Sequence, residues 1–340
     1  MASLTATPAG SGAKTSFLSN GNIIIKELGS GAFSHVYAFI PKPTADQIIS
    51  DYGANSHDRP ATLSRLRSAI QAVKIIHEDY LRQTDMNCLA AEVQALQFLD
   101  KASHPNVVHS FASGTHEVWQ AWYTMEILSG GDLQSFLSKY TGKSTPLTKP
   151  PESFVWHVLK CMVDALLLLH FGRAGPNRNS RDWPGFYHSD IKEDNVLFRV
   201  PAEGKGFEDF PDAVLADFGS VGKLDPNADQ RTRDAFFQRQ KLDVLHVIMR
   251  IIDPLVNRAG CTDCRLVELF DQANNIRLQD GLERNTPVKN WLRQTSDLAG
   301  KKREELYEPL ATDIQTYFSK PAVSDAELAA VFPELSMPAA

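Results

Sequence analysis

Two rhythms of apolar positions run along the chain. Short β-branched or apolar runs read as strands at Ile23–Leu28, Ala72–Ile76, Trp119–Leu128, Val196–Phe198 and Ala213–Ala216. Longer stretches repeat with the 3.6-residue period of a helix. Over 84–101, Leu89, Val93, Leu96 and Leu99 form one stripe. Over 151–170 the apolar surface is wider, with Val155, Val158, Leu159, Met162, Val163, Leu166, Leu167 and Leu169. That width predicts a buried helix, and Pro151 followed by Glu152 and Ser153 marks its start. A third helix is predicted over Lys241–Met249. Residues 1–21 are rich in Ala, Ser, Thr and Gly and read as a flexible tail, and 321–340 read as a second, loose tail.

Length adds a bound: 340 residues suffice for one large domain or two lobes with a sizeable core. The net charge of −6 argues against a nucleic-acid partner and gives no polybasic membrane site. No apolar run is expected to span a bilayer, so no membrane insertion is expected. The start of the chain lacks a basic segment followed by an apolar one, and Ala2 departs from the myristoylation pattern. An intracellular, cytoplasmic or nuclear location is therefore expected, with reduced thiols. Cys88 and Cys161 fall in helical patterns and read as core thiols. Cys261 and Cys264 have C-x-x-C spacing, but no second pair of ligands accompanies them.

Candidate chemistry centres on His188-Ser189-Asp190-Ile191-Lys192-Glu193-Asp194-Asn195. Two strand-like runs follow, and then Asp217-Phe218-Gly219. Asn195 and Asp217 would stand at the ends of one short hairpin as hard oxygen ligands. A carboxylate to orient a hydroxyl, a lysine to neutralise a phosphate and such ligands suit phosphoryl transfer. Upstream, Gly29-Ser30-Gly31 makes a hairpin turn that a ligand can approach closely, and Val36 offers an apolar cover. Lys74 lies between Val73 and Ile75 on a buried strand and needs a partner. Glu92, beside the stripe of the following helix, can supply it.

These motifs resemble those of the eukaryotic protein kinases, in order, over roughly residues 22–255. The resemblance implies an α+β bilobal fold: an N-lobe at 22–128, a helical C-lobe at 129–320, and tails on either side. It implies ATP and Mg²⁺ as cofactors and a protein substrate with Ser/Thr acceptors. Asp190 would orient the acceptor hydroxyl, Lys192 would touch the γ-phosphate, and Asn195 and Asp217 would hold Mg²⁺. Lys74, locked by Glu92, would position the α- and β-phosphates. Gly29, Ser30, Gly31, Val36, Ala72 and Met125 would surround the nucleotide. Glu126 to Leu128 would supply backbone hydrogen bonds to adenine. Asp132 would reach the ribose or serve as a helix N-cap, or both. His188 and Phe218 would pack the site from below, and Asp243 would accept catalytic-loop amides.

Departures from the family pattern are equally plain. Ser34 replaces the third glycine of the first turn, and Ser189 stands where an Arg often precedes the catalytic Asp. Ala-Pro-Glu is absent from a short segment at 220–240, which puts the substrate in doubt. Insertions are expected at 41–69, 171–187 and 201–212, the first helical near Leu63–Ile70 at best, the second with Arg173, Arg178 and Arg181 in solvent. A nucleotide-binding scaffold without turnover and a small-molecule kinase on the same fold stand as alternatives. Oligomeric state is not legible.

Overall fold

The computed structural model describes residues 12–53, 58–77, 87–116, 119–140, 146–172, 183–200, 207, 210–261, 263–278 and 286–336. They fall into two compact units. Met1–Val93, His109–Ile127 and Pro321–Ala340 bound the first, and Gln94–Val108 and Leu128–Lys320 bound the second.

The first unit holds α1 (Gly12–Ser19), β1 (Asn22–Ser30), β2 (Ser34–Pro41), α2 (Lys42–Asp51), α3 (Arg59–Ala69) and β3 (Gln71–Ile76). It also holds the start of α4 (Asn87–Asp100), then β4 (Ser110–His116) and β5 (Trp119–Glu126). The strands form one antiparallel sheet in the order β1-β2-β3-β5-β4. Strand alternation sends Tyr37 and Phe39 to one face and Ala38 and Ile40 to the other. On the first face Phe17 of α1 packs edge-on against Phe39 and Trp122, at 4.9 and 5.1 Å between ring centroids. On the second face lie Ala45 and Ile48 of α2, Leu63 and Leu66 of α3, and Leu328 and Phe332 from the end of the chain.

Three expectations change here. Residues 12–19 are not a flexible tail: Ala13 and Phe17, one helical turn apart, are buried and anchor α1. Residues 1–11 lie outside the described residues. The loose tail expected at 321–340 instead forms a helix, Asp325–Val331, and a short 3₁₀ turn, Pro333–Ser336. Ser324 and Glu327 close a capping box on that helix. The expected insertion at 41–69 is two helices rather than one at best. Arg59 donates to Leu335 O, and Arg67 bonds Asp325 and Val323 O, so inserted segment and chain end fold as one layer.

The second unit holds the rest of α4, α5 (Leu133–Ser138), α6 (Glu152–Phe171), β6 (Phe186–Tyr187), β7 (Val196–Arg199), β8 (Asp212–Leu215) and β9 (Gly222–Lys223). Helix α7 (Gln230–His246) runs through a π-helical turn, Val247–Ile252, into α8 (Asp253–Ala259). Then come α9 (Cys264–Leu278), α10 (Thr286–Glu305) and α11 (Thr312–Phe318). Helix α6 is the core: its apolar side chains are buried around nearly its whole circumference, against α10 and β8 among others. Contrary to expectation, α6 is long and apolar enough to cross a membrane, the one such helix among the described residues; most of it is buried inside the protein. Strands β7 and β8 form the expected hairpin, with Val196 opposite Leu215 and Arg199 opposite Asp212. Much of 220–240 is not loop at all, because β9 pairs with β6 and α7 begins at Gln230. Arg173, Arg178 and Arg181 lie outside the described residues. The layout, mixed α and β with an antiparallel sheet and many helices, is compatible with a kinase-like fold.

Candidate active-site residues

In the first unit the sheet register aligns the sequence-predicted residues row by row. Val36 stands opposite Lys74, and Lys74 opposite Tyr123; Ala38 stands opposite Ala72, and Ala72 opposite Met125. Val36, Ala72, Lys74 and Met125 therefore share one sheet face. Lys74 is 8 % exposed and Glu92 2 %. Lys74 Nζ donates to both Glu92 oxygens, at 2.9 and 3.1 Å, and Tyr123 Oη donates to Glu92 Oε1 at 2.8 Å. Tyr123 was not singled out from sequence. Its position two residues before Met125 on a strand places it on the same face, and that was the available signal.

Gly29 ends the last irregular step of β1, and Gly31 N–H bonds Ser34 O at 2.9 Å to close the turn. A side chain at either glycine would meet almost nothing of the protein itself, so space rather than backbone strain is what these residues provide. Ser30 lies between them, exposed. Glu126 departs from its expected use in part. Its N–H donates to His109 O, and its carboxylate accepts from His109 N, so that amide is not available to a ligand. Leu128 follows where the chain enters the second unit.

In the second unit one buried carboxylate shapes the loop. Asp243 of α7 is 0 % exposed. It accepts the His188 amide at 2.7 Å and the Ser189 amide at 2.8 Å, and His170 Nε2 lies 3.2 Å away. The amide of Asp190 donates to His188 Nδ1 at 3.3 Å, so Nε2 carries the ring proton and donates it to Ala216 O at 3.0 Å. Burial, outweighing the nearby Asp243, holds the His188 imidazole below its ordinary range, which keeps it neutral. Its ring meets that of buried Phe218 edge-on at 4.8 Å.

The loop held this way presents Asp190, Lys192 and Asn195 together. Asn195 Nδ2 donates to Asp190 O at 2.7 Å and to Asp190 Oδ2 at 3.0 Å. Lys192 Nζ lies 3.1 Å from the same Oδ2. Burial opposes the charge of Lys192, but Asp190, then Asp194 and Asp217, hold its pKa above the ordinary value. With Nδ2 committed to Asp190, the Asn195 amide oxygen is its remaining ligand atom. The hairpin puts Asp217 nearby, since Ala216 N–H bonds Asn195 O at 2.9 Å. Two oxygen donors, one anionic, are the ligand type that Mg²⁺ takes. Ser189 and Asp217 both have left-handed backbone, φ 67° and 59°, a strained setting for non-glycine residues.

Asp132 is a helix N-cap. Its two carboxylate oxygens accept from Ser135 N and Ser135 Oγ, both at 2.7 Å. Arg239 was also missed: its Nη1 donates to Ser189 Oγ at 3.3 Å. It precedes Asp243 by four residues on α7, so the helical period places both toward the same loop. Burial pushes the Cys261 thiol up to about 12, which disfavours its thiolate. The Cys88 and Cys264 side chains lie outside the described residues.

No family model matches the chain. Over 194 residues it is 28 % identical to "Mitogen-activated protein kinase kinase kinase 3" of Arabidopsis thaliana. The match covers 57 % of this chain and 23 % of the plant protein. It supports a protein kinase relationship.

Proposed function

We propose that this chain transfers the γ-phosphate of ATP, with Mg²⁺, to Ser or Thr hydroxyls of a protein substrate. The observation that carries the reading is the Asp190–Lys192–Asn195 cluster, fixed by Asp243 beneath it and adjoining Asp217. Asp190 accepts two hydrogen-bonding partners on Oδ2; its other oxygen is the one assigned to the acceptor hydroxyl, whose proton it takes as the bond to phosphorus forms. Lys192, kept charged, neutralises the γ-phosphate. The Asn195 oxygen and the Asp217 carboxylate hold Mg²⁺, which when bound neutralises phosphate charge. Lys74, kept in one position by Glu92 and Tyr123, is assigned to the α- and β-phosphates, with Val36, Ala72 and Met125 against adenine. Positioning and charge, rather than covalent catalysis, are what these residues offer.

The acceptor sequence follows from the same loop. Glu193 and exposed Asp194 sit beside Lys192, so basic residues flanking the acceptor are favoured. Incubation with labelled ATP, Mg²⁺ and a Ser/Thr peptide array tests both statements. Label on basic-flanked peptides supports them; label only on acidic or proline-directed peptides removes the preference, and none on any peptide removes the protein-kinase reading.

A further inference from the structure

Helix α6 carries two side chains that phosphoryl transfer does not use. His157 and Cys161 are one helical turn apart and share a face. They are 0 % and 3 % exposed. Facing them from β8 is half-buried Asp212. His157 Nε2 lies 3.6 Å from Cys161 Sγ and 3.4 Å from Asp212 Oδ1, and the three ligand atoms all lie within 4.8 Å of one another. Beside them is a cavity of about 300 Å³, lined in part by Cys161, Asp212, Phe207 and Arg303.

We propose that His157 Nε2, Cys161 Sγ and an Asp212 oxygen bind a divalent transition metal ion, zinc(II) foremost, with a remaining position for water from the cavity. The His157–Asp212 distance favours an ion over a plain hydrogen bond. An N–H···O bond centres near about 2.9 Å, so 3.4 Å is long. Zinc binds sulfur at about 2.3 Å and nitrogen or oxygen at about 2.0–2.2 Å, so tetrahedral edges run about 3.5 Å for S···N and about 3.3 Å for N···O. The observed 3.6 and 3.4 Å fit those edges. Charge fits as well, since a thiolate and a carboxylate neutralise a dication in a site where an unpaired charge would be costly. The donor set of N, S and O, three protein ligands with a position open, is of the zinc type rather than the magnesium type.

Arg303 opposes the ion. Its Nη1 lies 3.1 Å from His157 Nδ1 and, being a donor only, places the ring proton on Nε2. Metal at Nε2 needs the other neutral tautomer, so the ring proton moves from Nε2 to Nδ1 and Arg303, a donor, must turn away. Its guanidinium stacks 4.1 Å above Phe207, and its Nε has no partner among the described residues. Packing more than ion pairing therefore keeps it in place. The assignment predicts opposite signs for two kinds of variant: loss of a ligand weakens binding, and loss of Arg303 tightens it.

The test uses the full chain, stripped with a chelator. Zinc is titrated against a chromogenic chelator, and cobalt(II) is added separately to look for its thiolate charge-transfer band. One equivalent of zinc and a thiolate band are expected. Cys161→Ser should abolish the band, Asp212→Asn should weaken zinc binding tenfold or more, and Arg303→Met should tighten it. Joint replacement of Cys261 and Cys264 by Ser should change neither reading. Circular dichroism checks the fold of each variant, and Asp212→Asn, at a half-exposed position, serves if Cys161→Ser does not fold. No band in the wild type, a band that survives Cys161→Ser or vanishes with the Cys261/Cys264 pair, or an unchanged zinc affinity in Asp212→Asn overturns the site. Failure of Arg303→Met to tighten binding overturns it too. None of these readings depends on kinase activity.

Discussion

Lys74 Nζ lies 2.9 Å from Glu92 Oε1, and both side chains are buried between β3 and α4. Removing one partner takes a two-oxygen ion pair from the other in a buried setting, which typically costs about 3–5 kcal/mol. Glu92→Ala should therefore lower unfolding stability by about 3 kcal/mol or more in urea melts. Tyr123→Phe removes one charge-assisted hydrogen bond and should cost about 1.5–3 kcal/mol. A loss under about 1 kcal/mol for Glu92→Ala would mean that water reaches Lys74.

Asp243 should matter to rate more than its distance from the chemistry suggests. Asp243→Ala orphans the buried His188 amide, at about 1–3 kcal/mol, and the part-buried Ser189 amide, and frees the loop that carries Asp190. Turnover should fall tenfold or more while thermal stabilisation by ATP persists. Wild-type turnover in a folded Asp243→Ala protein would show that the loop is held by other contacts.

The end of the chain should stabilise the first unit chiefly through apolar burial. Leu328 is 0 % exposed, so Leu328→Ala should cost about 2–5 kcal/mol. The Lys26–Glu327 pair is about one-third exposed on each side, and Glu327→Gln should cost under about 1 kcal/mol. Denaturant midpoints of the two variants give the comparison; a larger loss for Glu327→Gln would contradict the ranking.

This layer also shows what sequence could and could not disclose. Lys74, Glu92 and the 196–215 hairpin were legible because each is fixed by a local period or a close spacing, whereas Asp243 was legible only through the family resemblance. Helix α1 rests on only Ala13 and Phe17, a stripe too short to read. Helix α3 buries Leu63 and Leu66 partly against residues more than two hundred and fifty positions later, and no local pattern announces such a partner. The capping box at Ser324 and Glu327, by contrast, was written in the sequence and marked a helix start within what read as a tail. Asp132 takes the N-cap role that its Asp-x-x-Ser spacing allowed, with Ser135, three residues on, donating to both of its oxygens.

Acid should destabilise the protein through His188. Its folded pKa is depressed by burial from an ordinary 6.5, so below about that pH the unfolded chain binds more protons than the folded one. The stability it contributes is complete above the unfolded value and is lost as pH falls toward the depressed one. Burial also lowers His246, which acts in the same direction. Despite burial, Cys161 and Asp212 raise His157 to about 9, which acts the other way above its unfolded value. Melting temperature should therefore drop between about pH 6.5 and 5, and His188→Asn should flatten part of that slope. An unchanged slope in the variant would remove His188 from the account.

The most direct measurement of the central claim is the rate of label transfer from ATP by wild type and Asp190→Asn, with nucleotide affinity measured on both. The account predicts Mg²⁺-dependent transfer to Ser or Thr by the wild type. It predicts a loss of about 10²–10⁴-fold in Asp190→Asn, with ATP affinity within a few-fold. Equal rates in the two proteins, or no transfer by a wild type that binds ATP and Mg²⁺, would contradict it.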